Sequence, residues 1–220
     1  MRIILPSGSP AEMCVSASSP TMGLVIAPDI FGLRPLYDDL VARLAAEWSM
    51  GVCAVEPFPG RDLSADIGPR SAAVASIDDT AHLRDLEEAA GVLAASGLER
   101  IGLLGFCLGG MYCHKASRSD RFDRIVSFYG MIRVPEAWRS PTQGEPLEHL
   151  AANAGRVLAI IGELDPYTPP ADVDALEAKG VNVARFPEAE HGFAHDPARP
   201  AHRPGDAAEA FRLAREWLTG

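Results

Sequence analysis

Cys107 lies between glycines in Gly105-Phe106-Cys107-Leu108-Gly109-Gly110, directly after the apolar run Ile101 to Leu104 and before a stretch suited to a helix, Met111 to Ser117. A nucleophile held on a sharp strand-to-helix turn needs small neighbours so that the backbone can close, and Gly105 and Gly109 meet that need. The turn would lift the Cys107 side chain above the sheet edge and aim the N–H of Leu108, at the helix start, toward a developing oxyanion. A buried structural cysteine after a core strand is the plain alternative. The spacing of Gly105, Gly109 and Gly110 does not fit the G-x-G-x-x-G of a dinucleotide site.

Two residues downstream complete a triad in chain order. Asp165 follows the apolar run Val157 to Ile161 within Gly162-Glu163-Leu164-Asp165-Pro166, and His191 stands in Glu190-His191-Gly192-Phe193 between the last apolar run and the last helical pattern. Taken singly, Asp165 is a good turn residue and His191 a solvated loop histidine. Jointly they give nucleophile, acid and histidine, each at the end of a strand.

The elements that must position them can be read from hydrophobic pattern. Short, nearly continuous apolar runs at Leu24 to Ala27, Val52 to Val55, Ile101 to Leu104, Ile125 to Phe128, Val157 to Ile161 and Val181 to Phe186 predict strands buried on both faces. Arg2 to Leu5 and Met13 to Ser16 are candidate edge strands. Helical periodicity places Leu36, Tyr37, Leu40, Val41, Leu44 and Trp48 on one face. It predicts a second helix from about Asp78 to Ala95, a start near Thr168-Pro169, and a last helix that turns Ala207, Ala210, Phe211, Ala214 and Trp217 inward. Alternation of this kind implies a mostly parallel, doubly wound sheet flanked by helices, with loops at the carboxyl ends of its strands gathered around a site. The Pro- and Gly-rich segment Arg133 to Gly155, with Trp138, reads as a surface excursion with one short helix, placed to line or cover a pocket.

Composition narrows the function classes. The 220 residues suit one domain, 1–220, and a net charge of -10 disfavours nucleic acid and anionic membrane surfaces as partners. Four cysteines, Cys14, Cys53, Cys107 and Cys113, form no C-x-x-C pair and no Cys/His cluster at zinc-ligand spacing, so neither a disulfide framework nor a metal is expected. Pro6 and Gly8 interrupt the first apolar residues, and no stretch approaches the roughly 20 residues of a membrane span, so the expected location is cytoplasmic.

Through Asp29-Ile30-Phe31-Gly32, the Cys107 hexapeptide, Asp165 and His191-Gly192-Phe193, the sequence resembles the dienelactone hydrolase family. The resemblance spans nearly the whole chain and implies a single α/β-hydrolase domain with little or no cap. It implies opening of lactones or cleavage of small carboxylic esters through a Cys107-His191-Asp165 triad and a thioacyl enzyme, without metal or organic cofactor. The N–H of Ile30 would be the second oxyanion donor, and Asp29 would take the place of the acid, usually Glu, beside the thiol. His195 stands where the family carries a substrate-binding arginine, Arg61 is a further candidate for a substrate carboxylate, and Phe31 would contact substrate. Phe31, Tyr112, Trp138 and Phe193 are candidate pocket aromatics. A small-molecule ester or lactone is the expected partner, and the chain is expected as monomer or homodimer. A general carboxylesterase or thioesterase is the alternative, followed by a noncatalytic ligand receptor or thiol sensor on the same fold.

Overall fold

The apolar runs form the inner strands of one eight-stranded sheet in a computed structural model that describes residues 1–150 and 152–220. The strands are β1 (Arg2–Ile4), β2 (Pro10–Val15), β3 (Met22–Ala27), β4 (Gly51–Val55), β5 (Arg100–Phe106), β6 (Arg124–Phe128), β7 (Val157–Gly162) and β8 (Asn182–Phe186). Their spatial order is β1-β2-β4-β3-β5-β6-β7-β8, antiparallel at β1/β2 and β2/β4 and parallel elsewhere. Strands β3, β4, β5 and β7 are buried along nearly their whole length, as continuous rather than alternating apolar runs require. β8 is an edge strand, and only Phe186 in it is buried.

The helices are α1 (Pro35–Trp48), α2 (Ile67–Val74), α3 (Asp79–Ala95), α4 (Leu108–Ala116), α5 (Pro146–His149), α6 (Pro170–Ala178) and α7 (Pro204–Thr219). Proline at the first turn starts α1 and α7, where its missing N–H costs no helical bond, and the Asp78 side chain caps α3 by accepting from the Ala81 N–H. Small residues let helices approach the sheet from both sides. A Cβ at Gly23 would meet Leu93 of α3, and one at Gly102 would meet Leu218 of α7. The apolar face predicted for α1 is buried except for Leu36, which is half-buried. In α7 the buried stripe is Ala207, Ala210, Ala214 and Leu218. Phe211 and Trp217, expected in the core, are half-buried instead: Phe211 lies against Trp48 and under the Arg43 guanidinium, and Trp217 donates to the Arg156 carbonyl. Among the described residues no helix is long and apolar enough to cross a membrane.

The chain leaves β3 toward β4 on one side, while β5 lies on the other side of β3. Loops after β3 and β5 therefore diverge at a topological switch point, the place where an open parallel sheet leaves a crevice. The segment 133–155 holds a 3₁₀ turn, Glu136–Trp138, and the short α5, and the first of these stands over that crevice.

Candidate active site

Cys107 stands between β5 and α4 with φ 55° and ψ -114°, a conformation that a side chain tolerates only where its surroundings over-determine it. Those surroundings are backbone. A Cβ at Gly105 would come within 2.3 Å of the Gly109 carbonyl oxygen, and one at Gly109 within 1.9 Å of the Ala27 oxygen. Both glycines are required so that α4 can start hard against the ends of β3 and β5. The Cys107 N–H donates to the Phe128 carbonyl, which ties the turn to β6. The N–H of Leu108 is at the first helical position, where no intrahelical partner exists.

His191 follows β8, with its Nδ1 2.7 Å from Asp165 Oδ2. The other Asp165 oxygen accepts the Tyr167 N–H at 2.8 Å, so the buried carboxylate is held at both ends. The ring sits edge-on between Tyr129 and Tyr167, with centroids 5.3 and 4.9 Å away. Burial alone would lower its pKa, but the charge of the facing Cys107 sulfur and hydrogen bonds to Asp165 and that sulfur raise it to about 10. Cys107, Asp165 and His191, far apart in sequence, thus meet at one end of the sheet.

Asp29 is occupied differently from the expectation of an acid beside the thiol. Its Oδ1 and Oδ2 accept from the Arg34 guanidinium at 2.7 and 3.0 Å, and Oδ2 also accepts from His195 Nε2 at 2.8 Å. Burial would raise the pKa, but His195 and Arg34 hold the carboxyl well below the ordinary carboxylate range. Burial also lowers the His195 pKa, against the opposing pull of Asp29. The ring donates from Nε2 to Asp29, and its Nδ1 is hydrogen-bonded to the Tyr129 hydroxyl, 2.6 Å away. With its side chain wholly buried and stacked on Phe106, His195 does not reach substrate, contrary to its expected binding role. The shorter carboxylate and the flat imidazole instead build a clasp between the loop after β3 and the loop carrying His191.

Cys107 and His191 line a cleft of about 460 Å³ whose walls are mostly apolar: Ile30 and Phe31 after β3, Ile67 from α2, Met131 after β6, and Trp138. The N–H of Ile30 has no hydrogen-bond partner among the described residues. Of the candidate aromatics, Phe31 and Trp138 face the cleft. Tyr112 and Phe193 are fully buried, Tyr112 donating to Asp79 and Phe193 packed between Tyr129 and Phe186. Arg61 lies outside the cleft lining, bound to Ser76 Oγ and the Ala73 carbonyl.

Sequence reasoning missed Arg199, which lines the cleft beside His191. Its guanidinium packs on Gly192, where φ is 80° and a Cβ would collide with it, and it makes no hydrogen bond or ion pair to the described residues. No period marks Arg199, which sits in a loop. Arg34 and Arg70 were missed as well, although Arg34 is only five residues from Asp29. Among the described residues no group of three His, Cys, Asp or Glu side chains is arranged to hold a metal ion.

The chain is 26% identical to carboxymethylenebutenolidase 2 of Cupriavidus pinatubonensis over 97% of its length and 91% of that protein. It is 30% identical to the carboxymethylenebutenolidase of Rhodococcus opacus, covering 84% of this chain and 75% of the relative. A candidate dienelactone hydrolase of Klebsiella pneumoniae, 24% identical, shares the fold with a TM-score of 0.86 over 100% of this chain and 97% of the other. The family model for dienelactone hydrolases matches residues 10–220, and the chain belongs to that family of α/β-fold hydrolases of lactone and ester bonds.

Proposed function

We propose that the chain opens small lactones, or cleaves small esters, that carry an anionic group, with Cys107 as nucleophile, His191 as proton carrier and Asp165 as the group that orients it. The observation that carries this reading is the 2.7 Å Asp165–His191 contact in the same cleft as a cysteine on a strained strand-to-helix turn. The His191 pKa, raised to about 10, favours the protonated ring facing Cys107.

The sulfur attacks the acyl carbon, and the N–H groups of Ile30 and Leu108 receive the oxyanion. As the tetrahedral intermediate collapses, the C–O bond to the alcohol breaks and the imidazolium gives its proton to the leaving oxygen. The thioester sulfur is neutral, so its share in raising the His191 pKa is gone while that of Asp165 remains, and the ring gives up its proton more readily than before. It then takes a proton from water, which attacks the thioester and releases the acid, while the proton returns to the Cys107–His191 pair. For a lactone, acid and alcohol leave as one molecule.

Arg199 supports the anionic preference, because a cation with no partner among the described residues, in an apolar wall, is a ready partner for a substrate carboxylate. The related carboxymethylenebutenolidases suggest a dienelactone as the first compound to try. The test is hydrolysis of a panel, dienelactone with anionic and neutral aryl esters, by wild type and Cys107→Ala. Loss of turnover in the variant with preference for anionic substrates is the expected result. Preference for neutral esters would make the enzyme a general esterase, and full turnover by Cys107→Ala would remove Cys107 from the reaction.

A further inference from the structure

Helix α2 is largely exposed, with only Ala73 and Val74 buried, yet it supplies Ile67 and Ser71 to the cleft wall. Its polar link to the loop after β3 runs through Arg70. The guanidinium donates to the carbonyls of Ile30 at 3.3 Å and Phe31 at 2.8 Å in the loop after β3, and to those of Leu63 at 2.9 Å and Ser64 at 2.6 Å in the chain entering α2. It also lies 5.7 Å from the centre of the Phe31 ring. These partners are carbonyl dipoles from two separate segments, gathered in the fixed fork that only arginine presents. Ser71 accepts the Trp138 indole N–H at 2.9 Å, so α2 and the 3₁₀ turn opposite it form one wall.

The loop after β3 is fixed at its start by Asp29, held by Arg34 and His195, and at its end by Glu56, which accepts the Leu33 N–H at 2.9 Å. Between those anchors Arg70 holds the carbonyls of Ile30 and Phe31, the two that follow the Ile30 N–H along the chain. Resting on the reaction proposed above, we propose that Arg70 is a positioning residue for the Ile30 N–H, and that it couples occupancy of the α2 wall to the oxyanion geometry. A substrate acyl group that packs on Ile67 and Ser71 presses on a wall joined through Arg70 to the donor loop. Binding energy from that remote part of the substrate is then realised in the transition state and appears in kcat rather than only in KM.

The experiment is a series of aryl esters with one leaving group and acyl chains of increasing length, assayed with wild type, Arg70→Met and Arg70→Lys. An aldehyde analogue is titrated alongside, because its thiol adduct places an oxyanion in the hole, and Cys107 alkylation by iodoacetamide is measured because it needs no oxyanion donor. In wild type, kcat climbs with acyl length until the wall is reached. Arg70→Met lowers kcat on the longer esters by about 10-fold to 100-fold, flattens the length dependence and weakens aldehyde binding, with alkylation unchanged. Arg70→Lys, a point charge that cannot reach all four carbonyls, falls between the two and carries the test if Arg70→Met does not fold. A length dependence parallel to wild type in the folded variants overturns the assignment. So does an equal fall in alkylation, which would mark general damage to the fold. Failure of the underlying reaction shows separately, as wild-type turnover by Cys107→Ala, and overturns the coupling with it.

Discussion

At Cys107 and His191 a single proton decides reactivity. The His191 pKa lies above that of an unfolded histidine, so the charged ring contributes stability that is fully present below about pH 6.5 and is lost as pH rises through about 10. Within that window the ring is an imidazolium beside the sulfur. His191→Asn is therefore expected to slow Cys107 alkylation by iodoacetamide at neutral pH, because the sulfur loses its facing cation. Equal rates in wild type and variant would contradict the pairing. Arg199 makes a second prediction at this scale. Its replacement by Met should raise KM for anionic esters about 10-fold, the order of one charge-assisted hydrogen bond, and leave neutral esters within about 2-fold. Equal effects on both classes would mean that the guanidinium shapes the cleft rather than recognising charge.

The elements show why some of this was legible in the sequence and some was not. Cys107, Asp165 and His191 each follow a parallel strand, and strands in one sheet bring their carboxyl ends together, so order along the chain predicted convergence in space. The role of Asp29 was not legible, because its partner His195 is 166 residues away and only the folded loops bring them together. Helix α2 was hidden for another reason: Gly68 and Pro69 in its first turn read as a breaker, and its exposed face carries no apolar period. Leu108 to Gly110 belong to α4, earlier than the predicted Met111 start, because glycines that weaken a helix by propensity are demanded here by contact with β3 and β6. That demand is testable. Gly109→Ala inserts a methyl 1.9 Å from the Ala27 oxygen, so α4 must move or the turn must open. The expected cost is about 3 kcal/mol or more in urea denaturation, well beyond the sub-kcal gain of an ordinary Gly-to-Ala change in a helix.

Across the whole molecule, the platform under the site depends on a buried ion pair that has no part in the reaction. Lys115 of α4 has its ammonium 2.9 Å from both oxygens of Asp79, the first residue of α3. The same carboxylate accepts from the Tyr112 hydroxyl at 2.9 Å and from the Gly144 N–H at 2.8 Å, while the Gln143 amide donates to the Val74 carbonyl at the end of α2. One carboxylate therefore joins the helix that follows the nucleophile, the helix behind the sheet and the chain returning from the Trp138 turn. Breaking one side of such a pair leaves a desolvated charge, which costs more than the pair contributes to stability. Lys115→Met should lower stability by about 3 to 5 kcal/mol in urea denaturation, because Asp79 keeps two hydrogen bonds but loses its cation. Adding Asp79→Asn should restore part of that loss, since the neutral amide no longer needs a counter-charge and its single oxygen keeps one of the two acceptor contacts, that to Tyr112 or that to Gly144. If the double variant is no more stable than Lys115→Met alone, the stabilising element is the packing of the lysine stem against its neighbours rather than charge compensation. Activity gives an independent reading. The pair reaches the cleft only through α4 and the segment 142–144, so the folded double variant should retain Cys107 alkylation while its KM rises as the Trp138 wall loosens.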